Sequence, residues 1–420
     1  MVNYFISQNP TFTVLDIGSG KICCVIAKIN KQNNIEILGT GFQESKGVVA
    51  GAITDMKILE ASVRDCLASA EKMASIRVKE ITLGFSSVDC FSEVFNIEID
   101  LTGSIIKEAD LEKSNEQLFN ELSLDNRRIL HVIPVQYSID GNSGIKNPIG
   151  MYGNKLGVEI SVISTAENVI KNYESLIKLC DLEIKEVIFK PYSLGHSILS
   201  DEEKDLGTAL VDIGAELTSV SIFIHGEMVF TRIIPMGGNL VTKDISKIFS
   251  LSLLDSEIIK IINGQLIEEI ENSLSIIEVS SLGDENFTDS IEITRKDLIS
   301  VIKPRITEII NAINNKITNS RYGNVIVNRI VLTGGVSQTE GLIELISNVT
   351  NKKARLARSK IIKGIPENMI GAAFSVINSM LYYSIIENKD IKFNKKTKNF
   401  ESINIYNSFI KFKKWLLENF

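Results

Sequence analysis

Two short stretches of this 420-residue chain, 196 positions apart, carry the residue types that handle phosphate. In LDIGSGK, Leu15 to Lys21, an aliphatic and β-branched run ends on an aspartate and then turns through glycine and serine. Such a turn exposes several backbone N–H groups that can wrap a phosphate. Asp16 could hold Mg²⁺ through water, Lys21 could reach a phosphate as a point charge, and Gly18, Ser19 and Gly20 would form the turn itself. The same residues also fit an ordinary hairpin closed by glycine. They do not make a P-loop, which ends in Gly-Lys-Ser/Thr and opens a helix. VDIGAELTS, Val211 to Ser219, repeats the device with Asp212, Gly214 and Thr218. Two such hairpins facing each other across a cleft would clamp the two ends of a triphosphate.

Two further stretches suit the nucleoside end. LTGGVSQTEG, Leu332 to Gly341, runs a strand into Gly334 and Gly335 and then Ser337 near a helix start. Paired glycines let a flat ring approach the backbone closely. SEIIK supplies Glu257 and Lys260 three positions apart, on one helix face. Taken alone, that pair also reads as a solvated ion pair.

The elements that must hold these residues follow from pattern. Residues 11–29 and 206–224 each read as strand, tight turn, strand, which suggests an internal duplication. A helix is expected over 57–76. Short strands alternating with one charged helix, 107–122, are expected over 80–160. A strand enters the glycines of Met228–Gly238, with a helix from about Asn239. Residues 251–319 read as mostly helical, broken by the polar loop 280–290. The strand 327–335 is followed by a helix starting near Ser337. Met369 to Ile386 carries no charge, but Gly371, Ser375, Asn378, Ser379 and Ser384 dilute it, so a buried helix is expected rather than a membrane span. The five cysteines are odd in number and have no CxxC spacing, which argues against structural zinc or a disulfide framework. A net charge of −7 gives no support to nucleic-acid binding.

The charge is unevenly spread. From Glu387 onward there are eight lysines against four acidic residues, and this +4 leaves −11 on the rest of the chain. Residues 387–407 read as a polar linker, and SFIKFKKWLLENF, 408–420, reads as an amphipathic helix. At about 100° per residue, Phe409, Ile410, Phe412, Leu416, Leu417 and Phe420 share one arc, with Lys411, Lys414 and Glu418 opposite. Trp415 falls on the border, where an indole lies between hydrocarbon and water. Lys413 falls inside the apolar arc and has to snorkel. The pattern is that of a helix lying in a membrane interface, although a helix docked on its own domain would show the same arc.

Taken in order, two Asp-Ile-Gly hairpins, an E-x-x-K helix and a strand-Gly-Gly-helix unit resemble the actin, Hsp70 and sugar kinase superfamily. Within it the chain resembles the bacterial cell-division FtsA family over nearly its whole length. PMGGNLVTKDIS, Pro235 to Ser246, is similar to the family's Val-Gly-Gly…Val-Thr-x-Asp-Ile stretch. VIKPRITEII is similar to its Arg-Pro-Arg helix, with Lys303 at the first arginine, and PIGMYGNKLGVEISVIS to the end of its extra subdomain. The resemblance implies an α/β, actin-like two-lobe fold with duplicated RNase H-like cores. Residues 1–84 and 163–195 would form subdomain 1A, with 85–162 inserted as 1C. Residues 196–245 and 320–386 would form 2A, and 246–319 would form 2B. It implies ATP and Mg²⁺ in the cleft, with Glu257 and Lys260 on the ribose and base side and Gly334, Gly335 and Ser337 at the adenine. It further implies filaments, contacts with other division proteins through 1C, and the FtsZ C-terminal tail at 2B. The tail would anchor the protein, peripherally, to the anionic inner membrane at the septum.

One departure concerns the second turn, where the family's Gly-Gly-Gly-Thr is replaced by Gly214, Ala215, Glu216 and Leu217. Two Cβ atoms and a carboxylate stand where backbone should meet phosphate, so nucleotide binding with slow or absent hydrolysis is expected. Two other readings share the fold: a PilM-like pilus assembly protein and a small-molecule kinase. The kinase would need an aspartate placed for a substrate hydroxyl, and none is identifiable in the sequence.

Overall fold

A computed structural model describes residues 11–30, 35–122, 126–267, 275–279, 291–323, 327–358, 362 and 364–394. Two sheets organise them. The strand order in the first is Glu183–Phe189, Glu80–Phe85, Thr11–Ile17, Lys21–Ile29, Ile35–Glu44. The last three form an antiparallel meander and the first three run parallel. The second sheet repeats the plan. Lys353–Leu356 and Arg329–Thr333 run parallel to Thr208–Ile213, which turns antiparallel into Thr218–Ile224 and Glu227–Ile234. The two hairpins match at their tips. Asp16 lies opposite Cys23 and Ile17 opposite Ile22; Asp212 lies opposite Ser219 and Ile213 opposite Thr218. The duplication suggested by two short sequence runs therefore extends to a whole five-strand unit.

These strands are apolar on both sides because both faces are covered. Leu15, Ile17, Ile22, Cys24 and Ile26 pack with Leu59, Val63 and Cys66 of helix Met56–Ala74 and Tyr173 and Leu176 of helix Glu167–Leu179. The alternate residues Val14, Cys23, Val25 and Ala27 pack with Ile377, Met380 and Leu381 of helix Ser375–Asn394. The uncharged run from Met369 is thus partly turn and partly a helix on the first sheet. Among the described residues no helix is long and apolar enough to cross a membrane.

In the second unit Val211, Ile213, Val220 and Ile222 join Val241, Ile245, Ile309, Ile313 and Ile346. Leu210 and Phe223 face the other way, into a core shared with Tyr192 and Leu194 of helix Lys190–Ile198. That helix packs on both sheets and meets the second through Gly195, where a Cβ would lie 1.9 Å from the Phe223 ring. Its first residue is Lys190.

Phe91–Ile105, Tyr152–Ala166, Arg127–Ile139 and Asn142–Ile145 extend the second sheet to nine strands, joined where Phe91 pairs with Arg232. The sequence suggested short strands here, yet two of them run 15 residues. Bulges at Leu130 and Val135 reset the inward face of Arg127–Ile139, and residues 160–165 of its long partner are buried on both sides, so neither shows the alternation that marks a long strand. The stretch read as mostly helical also contains two strands, Ile276–Val279 and Ile291–Thr294, paired antiparallel between helices Leu253–Asn263 and Arg295–Thr318. Four residues each are too few to show a period. The helix expected from Ser337 begins at Leu342, because Gly341 adopts φ 84° and a 3₁₀ turn occupies Gly335–Gln338. Helix Ser375–Asn394 runs into the segment read as linker. The loop 280–290 and the tail 408–420 lie outside the described residues.

Candidate nucleotide cleft

The two Asp-Ile-Gly turns close in the same way. Gly18 N–H donates to the Lys21 carbonyl at 2.9 Å, and Gly214 N–H to the Leu217 carbonyl at 2.9 Å. They also face each other, since a Cβ on Gly20 would lie 3.0 Å from the Ala215 Cβ. The second turn rests on Gly237 and Gly238. Gly238 N–H donates to the Gly214 carbonyl at 3.0 Å and Asn239 N–H to the Ala215 carbonyl at 2.7 Å. Thr218 Oγ1 donates to the Met236 carbonyl at 2.8 Å, so its hydroxyl fastens the hairpin from below.

Charge collects under these turns. Asp16 is buried, and its Oδ1 lies 2.6 Å from Lys190 Nζ, which also donates to the Ile17 carbonyl at 2.7 Å. Burial, reinforced by the charge of Asp16, pushes the Asp212 carboxyl up to about 6 against the pull of Lys190 and Lys21. Lys21 Nζ donates to the Ala373 carbonyl and lies 3.7 Å from the centre of the Phe374 ring, and burial lowers its pKa. Mg²⁺ keeps a tight octahedral shell of water and oxygen. Asp16, expected to hold that ion through water, instead has an ammonium against its carboxylate. No group of three or more His, Cys, Asp or Glu suited to a metal occurs among the described residues. With an ammonium against Asp16, these residues do not fit a Mg²⁺ ligated directly by the protein.

Glu216 does not point its carboxylate at the turn centre. Its Oε2 accepts from Ala50 N–H at 2.7 Å and its Oε1 from Asn239 Nδ2 at 3.3 Å. It therefore bridges the second hairpin to the segment after the first meander, in a backbone where Ala50 has φ 49°. Glu216→Ala is expected to bind ATP about five- to tenfold more tightly by calorimetry, because a like charge and an interlobe tie are removed together. Unchanged affinity would show that the carboxylate's field does not reach the cleft.

On the nucleoside side, Lys260 Nζ donates to Thr242 Oγ1 at 2.8 Å and the Gly238 carbonyl at 3.2 Å, and lies 2.5 Å from Glu257 Oε2. Thr242 Oγ1 also hydrogen-bonds Glu257. A Cβ on Gly238 would lie 2.9 Å from Val336 Cγ2 and 3.3 Å from Lys260 Nζ, which places this cluster beside the Gly334–Ser337 turn. Ser337 is buried and its Oγ donates to the Gly334 carbonyl at 2.7 Å, so it holds its own turn. Gly335 has no heavy atom within 4 Å of an added Cβ and forms the open side. The structure thus brings Asp16, Gly18, Gly20, Asp212, Gly214, Glu257, Lys260 and Gly334 into one region, where the two turns come close together. Lys190 and Thr242 were not anticipated. No local pattern distinguishes Lys190, which meets a carbonyl 173 residues away.

A doubled meander-and-parallel unit, with matching turns at one cleft, defines an actin-like protein. Solved structures agree. One from a PilM–PilN type IV pilus biogenesis complex matches with TM-score 0.62 and 15% identity, over 89% of this chain and 98% of that one. MreB5 of Spiroplasma citri bound to ADP matches with TM-score 0.52 and 14% identity, over 91% and 98%. Sequence places the chain more narrowly. The model for Cell division protein FtsA matches residues 209–378, and the SHS2 domain inserted in FtsA matches residues 89–164. Cell division protein FtsA of Agrobacterium fabrum is 30% identical over 90% of this chain and 88% of its own. The same protein of Buchnera aphidicola subsp. Schizaphis graminum is 32% identical over 90% and 92%, and that of Escherichia coli 28% over 88% and 89%. The chain belongs to the cell division protein FtsA family.

Proposed function

We propose that this chain polymerises on the cytoplasmic face of the bacterial inner membrane and tethers FtsZ filaments there, holding ATP between its two hairpins with little or no hydrolysis. The observation that carries the tether is the segment 408–420, whose apolar arc, bordering tryptophan and lysines follow an acidic body. The cleft reading is supported by MreB5, a protein of the same fold with solved structures bound to ADP and AMPPNP. Any Mg²⁺ then arrives with the nucleotide, held by its phosphates and not by Asp16.

The inserted strands, 85–162, are proposed to meet neighbouring protomers and other division proteins. Region 246–319 is proposed to take the FtsZ C-terminal peptide. A shallow groove of about 550 Å³ along helix Arg295–Thr318, lined by Ile299, Lys303, Pro304 and Thr307, supports that assignment. So do Leu254, Ile261 and Ile262, large apolar side chains left 63–72% exposed on one face of helix Leu253–Asn263 in the same region. The pilus-assembly alternative shares the fold, but the sequence relatives are FtsA proteins. The test mixes labelled FtsZ filaments with anionic vesicles. Filaments should coat the vesicles only when this chain is added, and FtsZ lacking its C-terminal peptide should stay in solution. Coating that persists without that peptide overturns the tether.

A further inference from the structure

Of all the charged groups in the molecule, the Lys190–Asp16 pair is the least expected. Both residues are at most 9% exposed, and they meet at 2.6 Å beneath two turns whose backbone faces a cleft. A buried ion pair rarely repays its desolvation, so its presence is weak evidence for stability. Its position is more informative. Lys190 is the first residue of the helix wedged between the two sheets, so its backbone is fixed by Gly195 on Phe223 and by Pro191 in the first helical turn. The ammonium donates one of its three protons to the Ile17 carbonyl and lies in charge contact with the Asp16 carboxylate. Ile17 immediately precedes the Gly18 turn, so the ammonium sits at the base of the phosphate hairpin. Asp212, the counterpart of Asp16, feels the charges of both Lys190 and Lys21. The floor of the cleft therefore holds two lysines against two aspartates, with no carboxylate cluster able to hold a metal among the described residues.

We propose that Lys190 stands in for a protein-held divalent cation, so that the cleft binds the polyphosphate of a nucleoside triphosphate through a fixed ammonium and without a requirement for Mg²⁺. This rests on the reading of the cleft as a nucleotide site. Buried Lys190 supplies one positive charge whose dehydration is completed on folding, whereas Mg²⁺ dehydrates reluctantly and demands octahedral oxygen. The ammonium also neutralises Asp16, which would otherwise repel phosphate.

The experiment titrates the full chain with ATP by calorimetry, once with excess Mg²⁺ and once with EDTA. The native protein should bind ATP within about threefold in the two conditions, less than half a decade. Lys190→Met alone would leave Asp16 buried and unpaired, so Asp16→Asn/Lys190→Met is used as well, with thermal melting to confirm folding. In EDTA the double variant should lose at least about tenfold in affinity. Native binding that requires Mg²⁺ overturns the inference and leaves the nucleotide cleft standing. A folded double variant that binds ATP in EDTA as the native chain does makes the pair merely structural, which also overturns it. No binding in either condition removes the nucleotide reading and the inference together.

Discussion

Ending the chain at Asn407 is expected to abolish flotation with anionic vesicles while leaving the melting temperature of the body unchanged. Seven large apolar side chains, Phe409, Ile410, Phe412, Trp415, Leu416, Leu417 and Phe420, are removed. At about 1.5 kcal/mol each they set an upper figure near 10 kcal/mol, lowered by partial immersion and by the ordering of the helix. Lys411, Lys413 and Lys414 add about 1 kcal/mol each at an anionic leaflet. Thirteen residues are marginal as a free helix in water, so folding accompanies binding. On the proposed reading one such foot would hold reversibly, and a row of protomers would hold firmly through effective concentration. Lys413→Leu refines the test, because it completes the apolar arc and should tighten binding. If the truncated chain floats as well as the full one, the membrane contact lies elsewhere. Weaker binding by Lys413→Leu would mean that the wheel is mis-set.

What could be read from the sequence depended on whether the signal was local. Asp16 and Asp212 stood out because each ends an apolar run just before a glycine turn, and the fold places both at the end of a strand paired to its own hairpin partner. Gly334 stood out because two glycines after a strand are rare without a turn, and it does sit at φ 88°. Lys190 could not be found this way, since its partner is far along the chain. Ser337 and Thr218 were assigned to the ligand from their places in the two motifs and from the family resemblance. In the structure Ser337 Oγ donates to the Gly334 carbonyl three residues back, a local bond that Ser makes readily, and Thr218 Oγ1 donates to the Met236 carbonyl 18 residues away. The turned-aside Glu216 depends on Ala50 and Asn239, neither of which the sequence marked. Period-2 patterning failed in the inserted strands because bulges reset the face of one and residues 160–165 of another are buried on both sides.

The paired glycines allow stability and ligand binding to be separated at adjacent residues. At Gly334 an added Cβ would lie 2.4 Å from the Ile213 carbonyl oxygen and 2.5 Å from Asp212 Oδ1, in a left-handed backbone that side chains resist. Gly334→Val should therefore cost about 3 kcal/mol or more from backbone strain and displacement of the second hairpin, seen as a fall in melting temperature. Gly335→Val meets no heavy atom within 4 Å, so melting should be nearly unchanged. If Gly335 forms the face against which a flat base lies, the isopropyl group takes that space. ATP affinity should then fall about a hundredfold, as for a ligand held out of its pocket by a few ångströms. Inorganic triphosphate, which has no base, should bind the Gly335→Val protein as it binds the native one. Equal loss of ATP and triphosphate would locate the damage at the phosphate hairpins. No loss of ATP would place the base on a different wall of the cleft, beside Glu257 and Lys260 alone.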